Sequence, residues 1–129
     1  MNHTTQPQLH QVHSAIGNVT DYVTKDGSII RELLHPESSA VRNQSLAEAR
    51  VAPGEITALH LHALSEEIYH ITQGTGCMRL GNAEFDVQVG DSVVIAPGTP
   101  HCIRNIGADE LRILCACSPA YSHADTQLL

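Results

Sequence analysis

Residues 54–74 read GEITALHLHALSEEIYHITQG, and residues 90–105 read GDSVVIAPGTPHCIRN. His60 and His62 are two apart, so on an extended strand both project from one face. A tight loop follows, and the next β-branched run opens with two carboxylates, Glu66 and Glu67. In the second stretch a short apolar run ends in a Pro97-Gly98 turn, and His101 opens the run after it. Three neutral imidazoles and one carboxylate make a mixed nitrogen and oxygen donor set. Such a set suits a divalent first-row metal. Four protein donors on a six-coordinate ion would leave about two positions for a ligand.

Working outward, short runs rich in β-branched residues alternate with turn signals along the chain. The runs are Ile16–Val23, Ser28–Leu34, Thr57–His62, Glu67–Thr72, Cys77–Leu80, Phe85–Val89, Ser92–Ile95, His101–Arg104 and Leu111–Cys117. Glycine, asparagine and proline clusters separate them, at a spacing that suggests an all-β sandwich or barrel. Ser38–Arg50 is the one segment that competes as a helix. Its second half alternates well enough to be a strand over Ser45–Val51.

The 129 residues are enough for one domain with a full core. Domain boundaries are expected at residues 1–14, a polar and flexible N-terminal tail, and 15–129, a single β domain. A formal net charge of −7 opposes binding to phosphate-rich partners, so nucleic acid and anionic membrane are excluded as expected partners. Aromatic residues are 3 % of the chain, too few for a base-stacking platform. No apolar run reaches the roughly 18 residues needed to span a bilayer. The first 14 residues lack the pattern of a secretory signal, so a cytoplasmic location and four reduced cysteines are expected. Cys115 and Cys117 share one strand face. Burial is the expectation for them, and soft-metal binding the alternative. Nine histidines against seven Lys plus Arg is the unusual ratio, and it points to metal or acid–base chemistry.

In these two stretches the chain resembles the cupin superfamily. The family's first motif, G(x)5HxH(x)3–4E(x)6G, is matched by Gly54, His60, His62, Glu67 and Gly74. Its second, G(x)5PxG(x)2H(x)3N, is matched by Gly90, Gly98, His101 and Asn105, with Ala96 in place of the motif's proline. The spacing to Gly74 selects Glu67 over Glu66. The resemblance implies a small, single-domain double-stranded β-helix, or jelly-roll barrel, with the metal inside one end. It implies His60, His62, Glu67 and His101 as ligands of iron, manganese, nickel or zinc, without choosing among these metals.

On that reading Glu67, Tyr69 and Ile71 share one inward face, and Ile103 follows His101 inward. Tyr69, Ile71 and Ile103 are therefore the expected walls of a substrate pocket. His70 points away from the metal, and Asn105 orders the turn after it. The leading functional expectation is a metal-dependent enzyme of the dioxygenase type, acting on a small oxygen-rich molecule. The alternatives are a non-redox isomerase or lyase on a sugar or carboxylate, and a non-catalytic small-molecule binding module. No residue identifies a catalytic base. A homodimer is expected, because a lone barrel of this size has open edge strands to protect.

Overall fold

The structure is a computed structural model that describes residues 6–129; residues 1–5, the start of the expected tail, lie outside the described residues. Among the described residues, eleven strands form two antiparallel sheets. They are β1 (Asp21–Val23), β2 (Ile29–Leu34), β3 (Ser45–Val51), β4 (His60–His62), β5 (Glu66–Gln73), β6 (Thr75–Leu80), β7 (Ala83–Gln88), β8 (Ser92–Ile95), β9 (His101–Asn105), β10 (Leu111–Ser118) and β11 (Thr126–Leu128). One sheet has the order β1-β2-β3-β10-β5-β8, and the other β11-β4-β9-β6-β7. The alternating burial of β3, β5 and β10 turns one side chain in two toward the space between the sheets.

Ser45–Val51 is a strand, which ends the competition with a helix; its register with β10 runs from Ser45↔Cys117 to Val51↔Leu111. Two runs are shorter as strands than their composition suggests. Within Ile16–Val23, Ile16–Asn18 is one 3-10 turn, and only Asp21–Val23 pairs with β2. Within Thr57–His62, the Thr57 hydroxyl accepts the Ile103 N–H at 3.0 Å and its own N–H reaches Ile103 O at 3.0 Å. A side chain thus replaces the ladder there, and strand pairing resumes at His60↔His101. Within the expected tail, Leu9–Val12 forms a helical turn, and the Gln11 carbonyl accepts the Ala40 N–H at 2.7 Å.

The chain changes sheet between β5 and β6 at Gly74, which has φ +84°. A Cβ there would meet Glu110 O at 3.0 Å and Leu111 Cα at 3.1 Å, so only glycine fits. At one end the barrel is filled by Ile71, Met78, Ile103, Leu111 and Ile113, all at most 1 % exposed. At the other end the inner face of the larger sheet carries small residues: Ser28, Ser45, Ala47, Ala49, Cys115 and Cys117. Small side chains there leave a cavity with roughly 500 Å³ of space free of protein atoms, part of it open to solvent.

Candidate metal centre

His60 and His62 line this cavity, and His101 stands directly behind them. His60 and His62 come from β4, and His101 opens β9 directly opposite His60. All three are buried, and one ring nitrogen of each lies within 4.8 Å of the others. The hydrogen bonds of these rings fix which nitrogen is free. His60 Nδ1 lies 2.8 Å from Ala58 O, and His101 Nδ1 lies 2.9 Å from Thr99 O. A carbonyl can only accept, so both Nδ1 atoms carry the proton. His62 Nδ1 lies 3.0 Å from Thr126 Oγ1, whose own hydroxyl donates to Ser122 O at 2.8 Å. Thr126 therefore accepts from His62, and that Nδ1 is protonated too. Each neutral ring is left with a lone pair on Nε2.

Glu67 enters from β5 in the facing sheet. It is buried, and its Oε1 sits 3.2 Å from His62 Nε2 and 3.3 Å from His101 Nε2. Glu67 Oε1 and His101 Nε2 have no hydrogen-bond partner, although both are buried. Lone pairs facing lone pairs in a dry site repel, and a cation between them removes the conflict. The residues present thus fit a divalent ion. Burial pushes the Glu67 carboxyl up, but when the His101 and His62 rings take a second proton their hydrogen bonds and charge outweigh burial and bring it down to about 2. Burial also lowers His60 below the ordinary histidine value, with help from the neighbouring His101 ring. Both shifts keep these groups unprotonated and ready to donate. Glu66, one residue earlier, is exposed on the outer face.

The remaining expected residues divide. Tyr69 lines the cavity, its ring centroid 5.9 Å from that of His101. Burial, then the charge of Glu67, holds its phenol well above the usual range, so it stays protonated. Ile71 and Ile103 do not line the cavity. They lie one step further along their strands, packed into the filled end of the barrel. Cys117 donates its thiol to Glu67 Oε2 at 3.2 Å, and burial pushes both Cys117 and Cys115 up. Cys117 thus buttresses the carboxylate, while the Cys115 thiol turns to Ile113 O at 3.8 Å. His70 is turned outward and meets Ser92 Oγ at 2.8 Å. Asn105 Nδ2 donates to Val51 O at 2.9 Å and Asp109 O at 2.8 Å, and its Oδ1 accepts the Gly107 N–H at 2.9 Å. It ties the turn after β9 to β3.

Sequence reasoning missed the contribution of the two chain ends. Thr126 on β11 faces His62 in register. Asp125 accepts the N–H groups of Leu64 and Ser65 at 2.9 and 3.0 Å, which sets the loop that delivers Glu67. Asp26, in the β1–β2 turn, places Oδ2 3.8 Å from His60 Nε2, while Ser28 N and Oγ hold its Oδ1 at 2.9 and 2.6 Å. The one sequence signal for Asp26 was its turn, Lys25-Asp26-Gly27.

Residues 47–117 match the family model for the cupin domain. The chain belongs to the cupin superfamily. An uncharacterized protein of Methanocaldococcus jannaschii is 55 % identical over 111 residues, covering 86 % of this cupin and 89 % of the relative. Among solved structures, the Streptomyces nucleoside dehydratase Pac13 superposes with a TM-score of 0.73 at 14 % identity, over 90 % of this chain and 88 % of that one. Oxalate decarboxylase from Bacillus subtilis gives a TM-score of 0.80 at 22 % identity, over 99 % of this chain but 34 % of the longer enzyme. At such identities these likenesses establish the double-stranded β-helix and no more. The segment that matches the family holds the three histidines and Glu67. Asp26, Glu32, Tyr121 and Thr126 lie outside it. No helix among the described residues is long and apolar enough to cross a membrane.

Proposed function

We propose that this cupin is a metal-dependent enzyme, with His60, His62, Glu67 and His101 as ligands, that acts on a small oxygen-rich molecule without oxidising it. The observation that carries the reading is the set of buried lone pairs, on Glu67 Oε1 and the Nε2 atoms, converging beside a cavity that His60, His62 and Glu67 line. A divalent ion held there would supply Lewis acidity toward a substrate oxygen. The chain's own groups would handle protons. Asp26 Oδ2 is an acceptor on the substrate side of His60, steadied through Ser28, and suits a general base. Tyr69 keeps its proton and serves as a donor.

Sequence alone favours dioxygenase chemistry. The acid–base groups on the cavity wall reverse that order and favour a lyase or isomerase. The dehydratase and decarboxylase among the similar folds are in keeping with this order. The test begins with elemental analysis of protein purified without a metal-affinity step, expected to give one ion per chain. Addition of a 1,3-diketone to Co(II)-loaded protein should then shift the optical bands saturably. A bound ion that answers to no bidentate oxygen donor is coordinatively closed, and the enzyme reading falls. Substrate-dependent oxygen consumption would restore the dioxygenase reading.

The edge strand β1, with Val23 exposed, supports the expectation of a homodimer through sheet extension. Light scattering at micromolar concentration checks it, and a monomer mass overturns it.

A further inference from the structure

The charge of the cavity wall narrows the substrate class, an inference that rests on the metalloenzyme reading of the same site. Among the described residues, no lysine or arginine side chain lines the cavity, although the strands that build it carry several. Alternation turns those cations outward. Arg31 Nε pairs with Asp21 Oδ1 at 2.6 Å, and Arg50 pairs with the same carboxylate. Lys25, next to Asp26, donates instead to His123 O at 2.7 Å and Thr126 O at 3.1 Å.

Away from the histidines, the polar groups that face the cavity are acidic, hydroxylic or thiol, set among apolar residues such as Ile30, Ala47 and Ala49. Asp26 has a side chain only 10 % exposed, with Oδ2 on the His60 side. Glu32 lines the same space from β2. Its Oε2 accepts the Tyr22 hydroxyl at 3.2 Å, while its buried Oε1 has no partner. Thr24 and Tyr121 add hydroxyls 3.0 Å apart. A buried carboxylate oxygen without a donor is costly, and a ligand carrying O–H or N–H groups relieves that cost. A second anionic group on the ligand would meet Asp26 and Glu32 across a poorly screened gap, with no guanidinium or ammonium to receive it.

We propose that the site selects neutral or cationic molecules that carry hydroxyl or amino donors, and rejects phosphorylated and polycarboxylate ones, with Asp26 and Glu32 as the residues that decide it. The metal would take the ligand's chelating oxygens, and these two carboxylates would take its donors. Both residues precede the segment that matches the family, so selection is a property of the chain's N-terminal strands and not of the shared metal centre.

The test uses Co(II)-loaded full-length protein and a matched pair of probes, dihydroxyacetone and dihydroxyacetone phosphate. Both carry the same hydroxy-ketone chelating group, and they differ by a dianion. Binding is read by calorimetry and by the cobalt bands, with metal content measured in parallel. The expected result is at least about a tenfold preference for the neutral probe. That preference should fall at least about fivefold in the Asp26→Asn/Glu32→Gln double variant, at unchanged cobalt content. The wild-type comparison stands by itself if that variant does not fold. Metal-loaded wild type that binds the phosphate equally or better, or binds neither probe, overturns the proposal. So does a folded, metal-loaded double variant that keeps the full preference. A chain that takes up no cobalt overturns the underlying site reading, and the metal measurement separates that failure from the others.

Discussion

The two ends of this barrel are built by the same strands and differ in almost everything else. Along β10 the inward residues run Leu111, Ile113, Cys115, Cys117, and along β5 they run Ile71, Tyr69, Glu67. Along β9, Ile103 lies on the filled side, and His101 lies level with His60 and Glu67. The backbone period is the same throughout. Side-chain volume and polarity change within one or two steps, and that change turns a sealed core into a cavity. The comparison teaches that the site needs no special backbone. It needs small residues on one sheet opposite histidines on the other, next to a core stiff enough to fix both.

If the open end is a metal centre, removing a ligand should abolish metal uptake and leave the filled end intact. His101→Ala should lose essentially all bound metal while circular dichroism still reports a β fold. A folded variant with full metal content would place the ion elsewhere. Acid should reach the same end point in the wild type. Burial lowers His60 below its ordinary 6.5, so this ring resists protons somewhat longer than free histidine. Between that lowered value and 6.5 the unfolded chain binds more protons than the folded one, so acid destabilises the metal-free protein. Glu67, at about 2, stays ionised through this window, so histidine protonation displaces the ion. Metal content after dialysis at about pH 4 should be near zero, and full retention would refute the ligand set.

At the filled end the expected effect is on stability and not on metal. Ile113 is 1 % exposed, and Ile113→Ala should cost roughly 2–5 kcal/mol in denaturant unfolding. The folded fraction should still bind one ion. A cost below about 1 kcal/mol would mean that this end is less tightly packed than described.

Thr126→Val tests the support behind the open end. It leaves His62 Nδ1 without its acceptor, so the ring is no longer held with Nε2 toward the ion. Metal affinity should fall roughly 10–100-fold, the range for loss of a ligand's outer hydrogen bond. An unchanged dissociation constant would show that the neighbouring residues orient the ring without it. The smallest expected change is at the cavity wall. Ala47→Leu adds volume where the barrel has space, so it should cost less than about 1.5 kcal/mol. The same substitution should block chelators from a centre that still holds its metal. A large loss of stability would show that the wall is already close-packed.

Strand alternation made an all-β sandwich or barrel and the shared face of His60 and His62 legible, because period-two spacing fixes which side chains share a face, while the full ligand set came from the family resemblance. The motif's six-residue gap to Gly74 favoured Glu67 over Glu66, and the structure buries Glu67 and puts Glu66 on the outer face. Ile71 and Ile103 are inward as that alternation requires. Alternation tells which face a residue takes but not which end of the barrel it reaches, so their placement in a pocket wall did not follow. Ile16–Val23 and Thr57–His62 were overextended because composition cannot show where a partner strand stops. Thr57 replaces its ladder bond with a hydroxyl, and the first run has a partner only from Asp21 onward.

Only the tertiary structure decided the rest. Asp26 and Thr126 are about a hundred residues apart in sequence, yet the first meets His60 and the second His62. No local pattern marks the role of either residue, because that role depends on a contact that exists only after β1, β2 and β11 have closed around the family's segment. The identity of the free ring nitrogens was decided in the same way. A histidine in a sequence has two equivalent prospects, and the carbonyls of Ala58 and Thr99 and the hydroxyl of Thr126 choose one for each ring. The sequence by itself determined which side chains could bind an ion, since donor chemistry and strand period are local. The fold decided that their lone pairs converge, and that the cavity before them carries negative charge, since both depend on distances between strands remote in the chain.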